Sequence, residues 1–157
     1  MDDFDPDAVH FLVLWLYTQK LEPYQLSVEE PPDMERRSKE SLALSNLWVL
    51  ADKLLIPRLQ NLVINSIDKI RHKLNEIATS SANLNDIYSN STPNSPLRRL
   101  IEHHCATELD IEWYSEEGDQ FPKKMLLDII TYLSSTHPAR GALASKRDMK
   151  DYEVKEL

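Results

Sequence analysis

The stretch NLWVLADKLLIPRLQNLVINSIDKI, residues 46–70, decides the fold because its pattern indicates two helices joined by a very short turn. On both sides of Ile56-Pro57, apolar residues recur every three or four positions, which places them on one face of each helix. Proline disfavours the helical conformation of the residue before it, yet its fixed φ suits the first turn of a new helix. So short a turn packs the two helices of the Ser45–Lys73 segment against each other. The expected core positions are Leu44, Leu47, Trp48, Ala51, Leu54 and Leu55 in the first helix and Leu59, Leu62, Val63, Ile67 and Ile70 in the second.

An apolar segment near the first residue predicts another helix. Residues 8–17 are nearly all apolar, and Asp5-Pro6 fits an N-cap followed by proline at the first helical position. The acidic residues ahead of this run argue against a secretory signal peptide, whose flank is basic, and the run is about half of the ~20 residues that a membrane span needs. Its aromatic side chains indicate either a buried core or a partner-binding surface, and both interpretations stay open. They are Phe11, Trp15 and Tyr17.

The connection between this helix and the helix pair is predicted to be a surface loop over residues 21–40. It contains three prolines and many charges, and its apolar residues follow no sustained period. Ser38 or Ser41 is expected to cap the first helix of the pair.

Three more helices are predicted after the pair. A short one covers Leu84–Tyr88, Ser95-Pro96 begins the next as N-cap and first helical position, and Pro122 begins the last. The acidic segment Asp110–Gln120 between the last two is predicted to be a solvated loop. The expected apolar stripes are Leu97, Leu100, Ile101, His104 and Cys105 on the longer middle helix and Leu126, Ile129, Ile130 and Leu133 on the last.

Several of these segments resemble the BTB/POZ fold in their order and spacing. LWVLADKLLIPRLQNLVINSI is similar to the last helix pair of that fold, and DPDAVHFLVLWLYTQKL to the helix before the pair. IYSNSTPNSPLRRLIEHHC and EEGDQFPKKMLLDIITYL are similar to the region after the BTB domain in fungal BTB-domain proteins. The resemblance implies an all-α bundle of about six helices. It divides the chain into a partial BTB/POZ-like region at 1–77, a helical extension at 78–136 and a flexible C-terminal tail at 137–157.

The resemblance begins part-way through the family fold, whose N-terminal half, with its strands, has no counterpart in the sequence. In that fold the helix corresponding to residues 5–20 packs between a sheet and the helix pair. The pair covers one side of this helix at most, and apolar residues occupy most of its other sides. We therefore expect an exposed apolar patch, and a chain that self-associates or needs a partner when expressed alone.

The family resemblance implies a non-catalytic protein–protein interaction module. BTB proteins typically dimerise or recruit partners, and many are adaptors for cullin-based ubiquitin ligases. The family's cullin-contact motif and dimerising helix belong to the half without a counterpart, so no residue is assigned to those roles. The candidate partner-binding residues are Phe11, Trp15, Tyr17 and Trp48. The alternative is a helix-turn-helix-like DNA-binding domain or another self-sufficient helical domain.

Composition narrows the function classes. The 157 residues carry a formal net charge of −8, which argues against a general binder of nucleic acid or anionic membranes. The single cysteine fits a reducing intracellular compartment, cytoplasm or nucleus. The two glycines leave no room for a glycine-rich phosphate loop, and neither a cofactor nor a small-molecule substrate is expected.

The sequence contains one cluster of residue types that can bind metals or act in catalysis. His103, His104 and Cys105 are adjacent, but neighbours on a helix point about 100° apart and so cannot jointly hold one metal ion. The same angle makes Cys105 and His104 a poor nucleophile–base pair. We therefore expect no metal site and no enzymatic activity from these residues.

Two Ser/Thr-Pro pairs match a minimal phosphorylation pattern. They are Thr92-Pro93 and Ser95-Pro96. A phosphate on Ser95 would lie at a helix N-terminus, where the helix dipole favours negative charge, with two arginines one turn in. The other interpretation is that these residues only cap the helix.

Overall fold

A computed structural model describes residues 4–74, 81–108, 111–116 and 118–136, and the regular secondary structure in these ranges is all helical. The α-helices are α1 (Pro6–Thr18), α2 (Tyr24–Ser27), α3 (Met34–Lys53), α4 (Pro57–Leu74), α5 (Ser81–Asn90), α6 (Pro96–Glu108), α7 (Ile111–Glu116) and α8 (Lys123–Thr136), with a 3₁₀ helix at Gly118–Gln120. The all-α fold is confirmed. The described residues form eight α-helices rather than about six, because the two short helices α2 and α7 lie in segments that were expected to be loops. The expected tail at 137–157 lies outside the described residues.

The α3–α4 hairpin forms the centre of the core. Most of the core positions that the apolar spacing predicted are buried. These are Leu44, Leu47, Trp48 and Ala51 of α3 and Leu59, Val63, Ile67 and Ile70 of α4. Leu62 is partly buried against the same cluster. The expectation is wrong for Leu54 and Leu55, which are exposed because α3 ends at Lys53 and the chain turns there.

Helix α1 lies across α3 and is fixed at its first turn by side-chain contacts. The Asp5 carboxylate accepts hydrogen bonds from the backbone N–H groups of Asp7 and Ala8, which confirms it as the N-cap. Its second oxygen accepts a hydrogen bond from the side-chain amide of Asn46 at 3.0 Å, and the Lys39 ammonium lies 3.2 Å from the Asp7 carboxylate. These contacts set the register of α1 on α3.

The loop expected at residues 21–40 is largely helical, which corrects that prediction. Helix α3 begins at Met34, capped by Asp33 rather than by Ser38 or Ser41. The four-residue helix α2 is held at both ends by distant side chains. The Glu40 carboxylate accepts the N–H groups of Tyr24 and Gln25 at 2.6 and 3.0 Å, and the Lys73 ammonium donates to backbone carbonyls at the other end.

The C-terminal helices continue the same core. Helix α5 packs on α3, α6 on α4 and α8 on α6. Leu97, Ile101, His104 and Cys105 of α6 are buried as expected, and Leu100 is partly buried. On α8 the expected stripe is wrong for Ile130 and Leu133, which are exposed, because the core-facing ridge runs through Phe121, Met125 and Ile129 instead.

None of the helices in the described ranges combines the length and apolar character that crossing a lipid bilayer requires.

Candidate interaction surface

Helix α1 has an inner and an outer apolar face. Ala8 and Trp15 are buried on the inner face, where Phe11 and Leu12 are partly buried. The outer face of α1, as the name is used below, consists of Val9, Val13, Leu14, Leu16 and Tyr17, which are 36, 43, 45, 55 and 86 % exposed. Large apolar side chains so concentrated on one helix face are typical of a binding surface rather than of ordinary solvent-facing helix.

The four candidate partner-binding residues occupy different environments. Tyr17 is almost fully exposed and belongs to the outer face of α1, whereas Phe11 is partly buried against the core. Trp15 is buried on the inner face. Trp48 is 2 % exposed in the hairpin core, and its proposal as a contact residue is wrong because its ring packs inside the bundle.

The α3–α4 turn adds a second exposed apolar segment that the spacing argument missed. Leu55 is 84 % exposed and has a φ of 56°, in the left-handed region that favours glycine. Its N–H donates to Asp52 and the N–H of Ile56 donates to Ala51, so the end of α3 is a Schellman motif with leucine at the left-handed position. Pro57, two residues after that position, was the sequence signal for such a cap.

A side-chain hydrogen bond brings this turn to the C-terminal end of α1. Arg58 donates from Nη1 to Oε1 of Gln19 at 3.2 Å. Gln19 ends α1 in a left-handed conformation two residues after Tyr17, and Arg58 follows Leu55 by three residues. Tyr17 and Leu55 therefore lie at the same end of the bundle. We call this the apex surface and define it as Tyr17, Leu54 and Leu55 with the cationic residues Lys20 and Arg58.

A cluster of titratable groups links α4 to α6. The buried His104 ring donates from Nε2 to the Asp68 carboxylate at 3.2 Å, and Arg71 and His72 lie 3.6 and 3.4 Å from the same carboxylate. Burial of His104 lowers its pKa and outweighs the opposing effect of Asp68. Partial burial raises the pKa of Asp68, but the hydrogen bond from His104 and the nearby cations outweigh it, so the net pKa of Asp68 is lowered. The arrangement fits a structural contact between helices.

The neighbouring cysteine and histidine do not form a reactive pair with each other. Burial raises the pKa of the Cys105 thiol to about 12, so the thiol is protonated at neutral pH and a weak nucleophile. His103 is exposed and its Nδ1 lies 2.8 Å from the Tyr132 hydroxyl. Among the described residues, no group of three or more His, Cys, Asp or Glu side chains is arranged to hold a metal ion.

The turn between α5 and α6 distinguishes the two candidate phosphorylation residues. Thr92 is exposed, whereas Ser95 is buried and its hydroxyl accepts the N–H of Arg98 at 3.4 Å as an N-cap. The buried Arg98 guanidinium donates to the Ser91 hydroxyl at 2.9 Å and to the backbone carbonyls of Tyr88 and Ser91. Ser95 is thus inaccessible in the folded state, and Arg98 serves to close the C-terminal end of α5.

A shallow cleft of about 480 Å³ lies beside the start of α1. Polar and charged residues of both signs, including Asn46, Lys53 and Asp86, make up just over half of its lining. Small-molecule sites are usually apolar with a few converging polar groups, so this lining does not indicate a small-molecule site.

Comparison of the chain with protein-family models, with curated proteins and with solved structures finds no match in any of the three.

Proposed function

We propose that the chain is a non-catalytic protein-interaction module of the BTB/POZ type, and that the outer face of α1 is its principal contact surface. The observation that carries the proposal is the exposure of five large apolar side chains on a single helix whose opposite face is already packed on α3. Removing this apolar face from water would lower the free energy, and the surface of another protein molecule could cover it.

The sequence resemblance supports the same class of function. Proteins with the BTB/POZ pattern act as dimerising regulators or as adaptors for cullin-based ubiquitin ligases, and the helices that carry the resemblance include α1, α3 and α4. Burial of Cys105 raises the pKa of its thiol to about 12, so this cysteine is protonated at neutral pH and carries no part of the proposal. The proposal places the module inside the cell, in the cytoplasm or nucleus.

A DNA-binding role has weaker support from the helix that would enter the groove. On α4, Arg71 lies against Asp68 and Lys73 donates to backbone carbonyls of the α2 segment. The chain as a whole has a net charge of −8, so phosphate backbone would be repelled over most of the surface.

The test is a sedimentation and dye-binding comparison of surface variants. The wild-type chain at tens of micromolar is expected to self-associate or to bind a hydrophobic dye, and the pair Val13→Glu and Leu16→Lys, which leaves net charge unchanged, should abolish both. Leu127→Gln on α8 removes a leucine of equal exposure, 55 %, and serves as the matched control that should change neither. A clean wild-type monomer that binds no dye would overturn the proposal.

A further inference from the structure

We propose that Thr92 is a phosphorylation site, and that the buried Arg98 guanidinium at the start of α6 binds the phosphate. The proposal is independent of the contact surface on α1. Three observations carry it: the exposure of Thr92 beside a buried Ser-Pro pair, the neutral surroundings of the Arg98 cation, and the short separation between Thr92 and Arg98.

The turn between α5 and α6 exposes one of its two Ser/Thr-Pro pairs and buries the hydroxyl residue of the other. Thr92, Pro93 and Asn94 are exposed, whereas Ser95 is buried. The N–H of Ser95 donates to the Thr92 carbonyl at 3.2 Å, and Asn94 has a φ of 59°. Thr92 is therefore the first residue of a turn with proline second and a left-handed residue third, which fits a type II turn. A proline-directed kinase can reach Thr92 in the folded chain, but not Ser95.

Arg98 is a buried cation whose hydrogen-bond acceptors are all neutral. The residue is 4 % exposed, and its guanidinium donates to the Ser91 hydroxyl and to the carbonyls of Tyr88 and Ser91. Its Nη1 has no hydrogen-bond partner, and no carboxylate of the described residues lies within ion-pairing distance of the guanidinium. Glu102, one turn further along α6, accepts a hydrogen bond from the Tyr88 hydroxyl at 2.8 Å instead. Because buried charges in proteins are normally paired, a buried cation with a free donor indicates a place for an anion.

The Arg98 guanidinium lies next to the backbone of Thr92. Its Nη2 donates to the carbonyl oxygen of Ser91, which belongs to the peptide group that joins Ser91 to Thr92. Covalent geometry places the Cα of Thr92 about 3 Å from that oxygen, and so within about 6 Å of Nη2. A phosphate on the Thr92 hydroxyl can span this separation by rotation about χ1.

The local charge favours a phosphate at this turn. Residues 87–101 contain Arg98 and Arg99 and no acidic residue, although the whole chain has a net charge of −8. A phosphate adds a charge of about −1.5 to −2 at neutral pH, and the first turn of the 13-residue helix α6 contributes the positive end of its dipole. Hydrogen bonds between arginine and phosphate are stronger than those between neutral groups. The modification should therefore fasten the turn between α5 and α6 more firmly.

The first arm of the experiment incubates the whole folded chain with Mg²⁺, ATP and a proline-directed protein kinase. The hydroxyl oxygen of Thr92 attacks the γ-phosphorus of ATP, the bond to the β-phosphate oxygen breaks and ADP leaves, and the hydroxyl proton passes to the kinase. Mass spectrometry of proteolytic fragments should locate one phosphate, on Thr92, and Thr92→Ala should remove it. Ser95 is the matched control in the same turn, because it also precedes a proline but is buried, and it should remain unmodified.

The second arm measures the effect of Arg98 on the phosphate. The second pKa of a phosphate ester is about 6, and a nearby cation lowers it by favouring the dianion. A ³¹P NMR titration of the phosphorylated chain should therefore give a lower pKa than the same chain unfolded in urea. Arg98→Gln should abolish that difference, whereas Lys123→Gln, at an exposed position on α8, should leave it unchanged. Phosphorylation should also raise the urea midpoint of the wild-type chain by about 0.5 M.

Each arm has a result that overturns its part of the proposal. Equal phosphorylation of Ser95, or no phosphate on Thr92 from a kinase that modifies a peptide of residues 87–101, would overturn the modification site. A phosphothreonine with the same pKa in the folded and unfolded chain would overturn the role of Arg98. That comparison uses the wild-type chain alone, so it decides the question even where Arg98→Gln does not fold.

Discussion

Replacing Leu55 by glycine should stabilise this protein, although the change removes a large apolar side chain. Leu55 occupies the left-handed position of the turn between α3 and α4 with a φ of 56°, and its backbone N–H is bonded to the carbonyl of Asp52. Glycine adopts that φ without the clash between Cβ and the carbonyl oxygen that other residues suffer. The two Schellman hydrogen bonds need only the backbone and remain in the variant.

The size of the effect follows from three contributions. Release of the left-handed conformation is worth about 1–2 kcal/mol for a residue with a side chain. The larger backbone freedom of glycine in the unfolded chain costs about 0.5–1 kcal/mol. Lost burial is small because Leu55 is 84 % exposed. The free energy of unfolding should therefore rise by up to about 1.5 kcal/mol, which for a chain of 157 residues raises Tm by up to about 6 °C.

Urea denaturation followed by far-ultraviolet circular dichroism, with a thermal scan beside it, measures this change. Leu54→Gly is the matched control, because Leu54 has a φ of −87° and glycine gains nothing there. That control should lower the midpoint through unfolded-state entropy and lost contacts. Leu55→Val should also lower it, since a β-branched side chain fits the left-handed region worst. A midpoint for Leu55→Gly below that of wild type would refute the strain argument.

Three further measurements probe the core and the α6 contacts. Trp48→Ala should lower the free energy of unfolding by about 3–5 kcal/mol, because the ring is 2 % exposed, and an unchanged urea midpoint would contradict its packing. Ser95→Ala should cost about 1 kcal/mol and Ser95→Asp should be neutral or better, so an Asp variant clearly worse than Ala would rule out the cap. The pKa of His104 is lowered by burial, so below its unfolded value of about 6.5 the unfolded chain binds a proton that the folded chain does not. The urea midpoint should accordingly fall from pH 7 to pH 5, and His104→Gln should flatten that fall.

Local sequence signals located most of the long helices correctly. The apolar period identified the inner faces of α3 and α4, and Asp5-Pro6 and Ser95-Pro96 marked the first turns of α1 and α6. These signals work because capping and helical spacing depend on residues within one or two turns of each other. The same spacing misplaced Leu54 and Leu55, because the period continues past the end of α3.

The segments that were misjudged depend on contacts between residues far apart in sequence. The sequence of residues 21–40 has no regular local pattern, yet two distant residues bind the backbone of Gln25. The Glu40 carboxylate, 15 residues later, accepts its N–H, and the Lys73 ammonium, 48 residues later, donates to its carbonyl. On α8, which residues face inward is set by where the helix rests on α6. The outer face of α1 was expected from the composition of that helix, whereas the apex surface depended on a turn conformation and a hydrogen bond between Gln19 and Arg58.

The contacts of Glu40 and Lys73 with α2 connect α3 and α4 a second time, at the end of the hairpin opposite its turn. At one end α3 and α4 are joined covalently by the turn at Leu54–Ile56, and at the other α2 connects them, bonded to Glu40 of α3 and Lys73 of α4. The helix pair is thus part of a ring in which the short helix α2 is fastened by charge-assisted hydrogen bonds, by the packing of Leu26 on the core and by the Arg36 guanidinium 3.6 Å from the centre of the Tyr24 ring. Because α2 has only four residues, its amide protons should exchange earlier than those of the buried hairpin, and neutralising either charge should speed that exchange without unfolding the rest.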